Sequence, residues 1–382
     1  MDYFEHPYTS KLHAHPFRRC TRCVMDTSDP WIIFDDQGVC SHCHNYDAMM
    51  RSLGSSNDRA AKLAEIVRTL KAAGTGKDYD CIMGLSGGVD SSYLAWYAVK
   101  KLGLRPLVVH VDAGWNSELA VHNIQNIVQR LNLDMHTLVI DWEEIQDLQQ
   151  AYFRSGVANL DVPQDHAFIA ALYQEARKYG LRYILSGGNL QTESILPNAW
   201  GYDASDQISL LAIHKKFGKR PLKNYPILNN FNRFFYYPYV IRMRTFRPLE
   251  YIDYNKRDAK ALLMNQLGWR DYGGKHYESV FTKFFQSYYL PVKFGYDKRK
   301  AHLASLVVSG QITRDDALEE LETPPFDPVE VRQELEYFSK KIGISMDEFA
   351  TILEKEPKSY ADYPNGEGLF DRLRALKRRL QR

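Results

Sequence analysis

Apolar positions along the chain alternate between two periods. Residues 81–85, Cys-Ile-Met-Gly-Leu, form a short apolar run that reads as a buried strand. Residues 106–111, 135–140 and 183–185 predict three more strands. Between the strands, helical spacing takes over. Residues 57–73 carry a stripe at Leu63, Ile66, Val67 and Leu70, closed by Gly74-Thr75-Gly76, and residues 91–102, 118–131, 142–153 and 166–179 predict further helices. Strands alternating with helices of this length predict an α/β fold built on a doubly wound parallel sheet. Residues 256–267 then predict a helix, and the polar periodic chain from residue 328 onward predicts more, so a helical C-terminal segment is expected.

The stretch after the first strand carries the chemistry. Ser86-Gly87-Gly88 is a turn of small residues whose backbone N–H groups can converge on an anion. A helix starting near Asp90 aims its unpaired N–H groups and positive dipole end at the same point. Ser86, Ser91 and Ser92 add hydroxyl donors. No Gly-Lys-Ser/Thr follows, which excludes a Walker-type loop. Ser-Gly-Gly-Val-Asp-Ser instead resembles the PP-loop of ATP pyrophosphatases, which implies that ATP is cleaved there, pyrophosphate is held and AMP passes to a substrate oxygen. Asp90 has two candidate roles, capping the helix or helping to hold Mg²⁺ on the phosphates.

In a doubly wound sheet, ligands sit outside the carboxyl ends of the strands, and this rule adds two loops to the candidate site. One carries Asp112, a candidate contact for ribose or a metal, with a plain turn as the alternative. The other spans residues 186–194. There Gly187 and Gly188 permit close backbone approach to a nucleotide, and Asn189, Gln191, Thr192 and Glu193 are candidate substrate contacts, with a turn lacking function as the alternative.

Composition sets the compartment and the metal. At 382 residues, 45% of them hydrophobic, the chain can build two or three domains. No apolar run nears the roughly 20 residues needed to span a bilayer, and the N-terminus lacks a charged-then-apolar signal, so a cytoplasmic protein without membrane association is expected. In that reducing setting, Cys20-x-x-Cys23 and Cys40-x-x-Cys43 read as a four-thiolate Zn²⁺ site on two knuckles joined by a hairpin. Four thiolates leave no open position, so the zinc is expected to be structural. His42 and His44 flank the second knuckle, either as replacement ligands or as exposed residues, and His6, His13 and His15 fall in an irregular arm.

Lys plus Arg total 49 against 47 Asp plus Glu, a net charge of +2 that supplies no field for nucleic acid. Residues 200–250 are nonetheless basic and aromatic, which leaves a nucleic-acid surface or recognition of sugar-nucleotide phosphates open. Rings clustered in residues 231–254 and 272–296 suggest a ring-lined pocket or interface. The expected division is residues 1–50 as arm and zinc ribbon, 51–76 as linker helix, 77–255 as PP-loop domain and 256–382 as a mainly helical substrate and partner segment. Within the last, Lys275 is a candidate phosphate or transition-state cation, His276 and Glu278 are candidates for proton transfer or substrate hydrogen bonding, and the run 293–300 is an anion-binding wall or a solvated face.

The two Cys-x-x-Cys pairs, Ser-Gly-Gly-Val-Asp-Ser-Ser, Gly-Gly-Asn-x-Gln-Thr-Glu-Ser-x-Leu-Pro and Asp-Tyr-Gly-Gly-Lys-His-Tyr-Glu-Ser together resemble the N-acetyl sugar amidotransferase family. The resemblance implies ATP-dependent conversion of an acetamido group on a nucleotide-linked sugar, a diacetamido uronic acid in the most similar members, to an acetamidino group for bacterial O-antigen or flagellar sugars. An amide oxygen is a poor leaving group, so adenylation would precede displacement of AMP by ammonia. Position 2 is Asp rather than a nucleophilic cysteine, and Cys81 lies in a predicted buried strand, so ammonia is expected from a separate glutaminase subunit, with a cyclase-like subunit as a candidate conduit. The alternatives are a PP-loop enzyme that thiolates tRNA and a non-catalytic zinc-ribbon nucleotide-binding module.

Overall fold

The computed structural model describes residues 16–274, 277–370 and 372, with 328–330 described by their backbone alone. His6, His13, His15 and most of the basic run 372–382 lie outside the described residues. Five parallel strands form one sheet in the order β3-β2-β1-β4-β5: β1 (Cys81–Gly84), β2 (Pro106–Asp112), β3 (Met135–Val139), β4 (Tyr183–Leu185) and β5 (Arg244–Phe246). The register sets Ile82 opposite Leu107 on one side and Ile184 on the other. Strand order reverses at β1, so β1 and β4 flank the switch point, where the loops that follow them open a crevice.

Side-chain alternation divides the core. Ile82, Leu107, Val109 and Ile184 face one way and pack with Ile145, Leu148, Ala167 and Ala170 of the helices Trp142–Ser155 and Val162–Lys178. Cys81, Met83, Val108 and Leu185 face the other way, against Ile66, Leu70, Ile124, Ile127 and Leu263 of the helices Ser56–Ala73, Glu118–Leu131 and Lys256–Leu267. Strands buried on both faces read as continuous apolar runs, which is why β1 and β2 are legible in the sequence. The doubly wound parallel sheet is as expected.

β5 escapes the sequence pattern. Its Arg-Thr-Phe is a polar edge strand with two of three residues exposed, anchored by Arg244 N–H to the Arg182 carbonyl and by Ser186 N–H to the Phe246 carbonyl, each at 2.9 Å. The helix expected over 166–179 begins instead at Val162, because Pro163 fits the first turn, where no backbone donor is needed.

The rings of residues 281–289 are core, not pocket lining. Phe281, Phe284, Phe285, Tyr288 and Tyr289 are fully buried, and Phe284 stacks on Phe338 at 4.2 Å. They knit the helices Val280–Phe284, Pro328–Ile342 and Met346–Glu354 to Phe153 of the α/β part. Phe231, Phe235 and Tyr239, in contrast, lie exposed on and beside the helical segment Asn232–Ile241.

The N-terminal module is fastened to this C-terminal part. The Arg314 guanidinium donates to the carbonyls of Cys20 and Cys23, each at 3.1 Å, and Lys300 pairs with the buried Asp26 at 2.7 Å. Arg314 opens the helix Arg314–Glu322 and Lys300 sits on the helix Lys298–Val308. Among the described residues no helix is long and apolar enough to cross a membrane.

Lys293 is wholly buried and donates to the carbonyls of Ile352 (2.7 Å) and Lys355 (2.5 Å), closing the end of the helix Met346–Glu354. Desolvation, helped by the nearby Lys355 charge, pushes Lys293 down from 10.5 to about 8. A depressed lysine costs stability while both states are protonated, and that cost is relieved as pH rises from about 8 towards 10.5. Lys293→Met should lower unfolding free energy by about 1–3 kcal/mol in urea titrations at neutral pH, by leaving two carbonyls without a donor. The wild-type advantage should widen over the same pH window, and a constant difference would remove Lys293 as its source.

Candidate functional site

The loops after β1 and β4 open into one cleft of about 970 Å³. Its walls come from three parts of the chain: the PP-loop and residues 187–193, the segment 255–278, and the C-terminal helices around Lys298, His302 and Asp316.

The PP-loop is shaped from outside. Gly87 has φ +84, the left-handed region, and a Cβ there would stand 3.0 Å from Tyr272 Oη and 3.1 Å from the Ala120 carbonyl. Its carbonyl accepts from Trp269 Nε1 (2.8 Å) and Tyr272 Oη (2.9 Å). A planar trans peptide then turns the Gly88 N–H to the opposite side, where it meets Ser86 Oγ at 3.3 Å. Ser86 Oγ and Ser91 Oγ lie 3.1 Å apart. The helix Val89–Trp96 starts at Gly88 with no side-chain cap, leaving its first-turn N–H groups to a ligand. Ser86, Gly88, Asp90 and Ser91 line the cleft, as do Gly187 and Gly188. A Cβ on Gly187 would come within 3.2 Å of the Asp90 and Ser91 backbone, so glycine there lets the two loops touch.

Asp90 does not cap its helix through the side chain. Its Oδ1 accepts from Tyr254 Oη at 2.5 Å, and Tyr254, buried and facing Asp90 and Glu193, is held well above its ordinary pKa and so remains the donor. Glu193 lines the same cleft and its charge also acts on Tyr254, so two carboxylates lie in the neighbourhood of one phenol. Hard carboxylate oxygens beside a phosphate cradle fit Mg²⁺. Glu278 also lines the cleft. Its Oε1 stands 2.9 Å from where a Gly88 Cβ would be, and its backbone is pinned by Ser117 N–H to the Glu278 carbonyl at 2.9 Å.

Several expected contacts are used by the fold instead. Ser92 is fully buried in its helix and does not line the cleft. Asp112 Oδ1 accepts from Gly114 N–H (2.8 Å) and Asn116 Nδ2 (3.1 Å), which makes a turn. Asn189 caps the short helix Leu190–Glu193 by accepting from Thr192 N–H (2.9 Å) and Thr192 Oγ1 (3.1 Å). Gln191 Nε2 donates to the Ile252 carbonyl at 3.1 Å. Asn189, Gln191 and Thr192 are buried, and of the four candidate substrate contacts Glu193 alone reaches the cleft. Lys275 and His276 lie outside the described residues, although Gly274 and Tyr277 on either side line the cleft.

Sequence reasoning missed Trp269, Tyr272 and Tyr254, the donors that set the loop and Asp90. Trp269 and Tyr272 sit in the stretch 269–278, whose glycines and charged residues are the stronger sequence signal. It also missed His110, which is buried behind the loop with Nδ1 2.9 Å from the Leu85 carbonyl and Nε2 3.0 Å from Asn116 Nδ2. A lone polar residue in an otherwise apolar strand was its signal.

At the N-terminal module the sulfurs of Cys20, Cys23, Cys40 and Cys43 lie within 4.8 Å of one another, with pairs at 3.7 and 3.8 Å. Four thiolates about 2.3 Å from a central zinc are about 3.8 Å apart, so the donor set fits tetrahedral Zn²⁺. Backbone N–H groups of Arg22, Cys23 and Cys40 point at Cys20 Sγ at 3.3–3.4 Å. His42 and His44 are not ligands: their Nε2 atoms face Asp29 (2.7 Å) and Asp35 (2.8 Å).

This fold and cradle define a PP-loop nucleotide-binding protein with a four-cysteine module. Residues 61–211 match the NAD synthase family model, and residues 278–377 match that of the LPS biosynthesis protein WbpG-like C-terminal domain. Neither match spans half of the chain; together they support an ATP-using enzyme of amidotransferase type, similar to WbpG-like proteins, in lipopolysaccharide synthesis. No curated protein matches.

Among solved structures, the NH3-dependent NAD synthetase of Campylobacter jejuni subsp. jejuni NCTC 11168 is 15% identical, with 36% of this chain covering 58% of that one at a TM-score of 0.27. NMN synthetase from Francisella tularensis is 15% identical, with coverages of 51% and 90% and a TM-score of 0.27. NAD+ synthetase from Burkholderia pseudomallei is 17% identical, with coverages of 78% and 95% and a TM-score of 0.31. The two family models, not these overlaps, support that reading.

Gly88→Ala should put a methyl into the cradle 3.3 Å from Ser86 Oγ. Pyrophosphate binding and ATP cleavage should fall about 100-fold, roughly 3 kcal/mol, with little change in melting temperature. Unchanged pyrophosphate affinity would place the phosphates elsewhere. Elemental analysis should find one zinc per chain, and Cys40→Ser should lose it together with several kcal/mol of stability, read as an earlier thermal transition.

Proposed function

We propose that the chain converts an acetamido group of a nucleotide-linked sugar, a diacetamido uronic acid, to an acetamidino group, using ATP and ammonia. One observation carries this reading: the cleft that holds the PP-loop is completed by Glu278, Gln286, Lys298 and His302, all from the WbpG-like segment. ATP chemistry and a second substrate can therefore share one space. The acetamido oxygen attacks the α-phosphorus, the α–β bridging bond breaks, and pyrophosphate leaves into the donors of Ser86, Ser91 and the N–H groups of residues 88–91. Ammonia then adds to the imidate carbon, the bond to the AMP oxygen breaks, and the proton shed by nitrogen passes to Glu278. Asp90 and Glu193 would hold Mg²⁺, which when bound neutralises phosphate charge. Tyr254 keeps the Asp90 carboxylate turned towards the cleft by its hydrogen bond.

Ammonia comes from a separate glutaminase subunit in this proposal, with a cyclase-like subunit as conduit. Supporting it, Cys81, the one cysteine outside the zinc set, is fully buried, and burial pushes its thiol far up, so it is no nucleophile for glutamine. The same property argues against tRNA thiolation. Incubation with ATP, ammonium chloride and a UDP-linked diacetamido hexuronate should release AMP and pyrophosphate one for one with a product about 1 Da lighter, and ¹⁸O placed in the acetamido group should appear in AMP. Label retained in the sugar, or AMP formed only with tRNA and a persulfide donor, would falsify the reading.

A further inference from the structure

A second cavity, of about 210 Å³, shares no lining residue with the ATP cleft. Three parts of the chain wall it: the exposed Trp31 of the four-cysteine module, Tyr152 and Ser209 of the helices Trp142–Ser155 and Gln207–Phe217, and Tyr296 and Tyr360 of the C-terminal part. These walls are set by contacts of their own. Tyr296 stacks on the buried Trp200 at 5.3 Å, Tyr202 stacks on Tyr360 at 4.2 Å, and the Lys358 N–H donates to the Gly156 carbonyl at 2.9 Å. The polar groups inside are not so engaged. Tyr152 is 2% exposed, Ser209 5% and Tyr296 7%, yet none of the three hydroxyls has a hydrogen-bond partner among the described residues. Nor are their oxygens sealed off by neighbouring atoms, so they open on the cavity. A buried hydroxyl without a partner is costly, and three around one space mark a place where something is bound.

Size, charge and ring geometry narrow the occupant. A single water needs about 10–15 Å³ of such space, so the cavity has room for a six-membered ring. The lining carries one acid and one base, Asp203 and Lys358, which balance, and Asp203 is already paired with Arg233 at 2.6 Å. A charged ligand would therefore lose its hydration without gaining a counter-ion. Because Tyr202 and Tyr360 stack on each other, no planar base can slip between them, and only outer ring faces are left. Such a face, with its negative π cloud, suits the C–H side of a sugar ring, and hydroxyls that both donate and accept match sugar hydroxyls. We propose that this cavity is a second ligand site, which binds a neutral pyranose, either a free sugar or the sugar end of a nucleotide sugar whose phosphates stay outside. A ligand there touches the cysteine module, the α/β part and the C-terminal part together, and so stabilises their attachment. It neither requires nor excludes the acceptor chemistry of the cleft.

Calorimetry and thermal melting of the full chain test the site, with N-acetylglucosamine, glucuronate, uridine and UDP-N-acetylglucosamine as probes. N-acetylglucosamine should bind and raise the melting temperature, glucuronate should bind at least about tenfold more weakly, and uridine should give no shift. Tyr296→Phe and Ser209→Ala each remove one hydroxyl and should weaken N-acetylglucosamine about five- to tenfold, with ATP affinity kept within about twofold. Neither variant should melt earlier than wild type in the absence of sugar, because the hydroxyl it removes has no partner to lose. An earlier transition would show that the hydroxyl is already bonded in the free protein, and would overturn the site. UDP-N-acetylglucosamine weakened by the same variants identifies the nucleotide-linked sugar as a ligand of the cavity; if the variants leave it unchanged, the free sugar is the ligand. N-acetylglucosamine bound alike by wild type and both variants, uridine bound in its place, or no pyranose bound at all overturns the proposal.

Discussion

One carbonyl organises the nucleotide end of this molecule. Gly87 turns its oxygen away from the cleft because the Trp269 indole and the Tyr272 phenol both donate to it. Trp269 is buried and Tyr272 half-buried, where a hydrogen bond is electrostatically stronger than in water and an unpaired carbonyl would be costly. Peptide planarity carries that constraint to the Gly88 N–H, and the uncapped helix start adds further donors. An anion cradle is thereby built from backbone, with its donors oriented before any ligand arrives. The clamp comes from residue 269 onward, far along the chain, so the loop motif is only half of its own geometry.

The other wall of the cleft is set from the N-terminus. Arg314 holds the carbonyls of Cys20 and Cys23, two of the four clustered cysteines, and Lys300 reaches buried Asp26, so the cysteine module bears on the helices that carry Lys298, His302 and Asp316. The cysteine module thus acts through packing. It fastens the WbpG-like helices over the sheet, and the buried rings around Phe284 and Phe338 complete the attachment.

Much of this was legible in the sequence. Strands β1 and β2 are buried on both faces and so appear as apolar runs, whereas β5, polar and at the edge, could be seen only once Arg182 and Ser186 were there to pair with it. The Ser-Gly-Gly turn, Asp90, Ser91, Gly187, Gly188, Glu193 and Glu278 all reach the cleft or border it. Asn189, Gln191 and Thr192 do not, because amides and hydroxyls satisfy a folded loop as readily as a ligand, and sequence does not record which way they turn.

By itself the sequence determined what depends on short-range chemistry: the parallel α/β alternation, the anion-binding turn and the thiolate set, since spacing alone brings those groups together within a few residues. Only the tertiary structure decided what depends on distant chain segments meeting. Tyr254 on Asp90, Trp269 and Tyr272 on Gly87, and Arg314 on Cys20 are separated in sequence by between 164 and 294 residues, and packing rather than local preference sets their geometry.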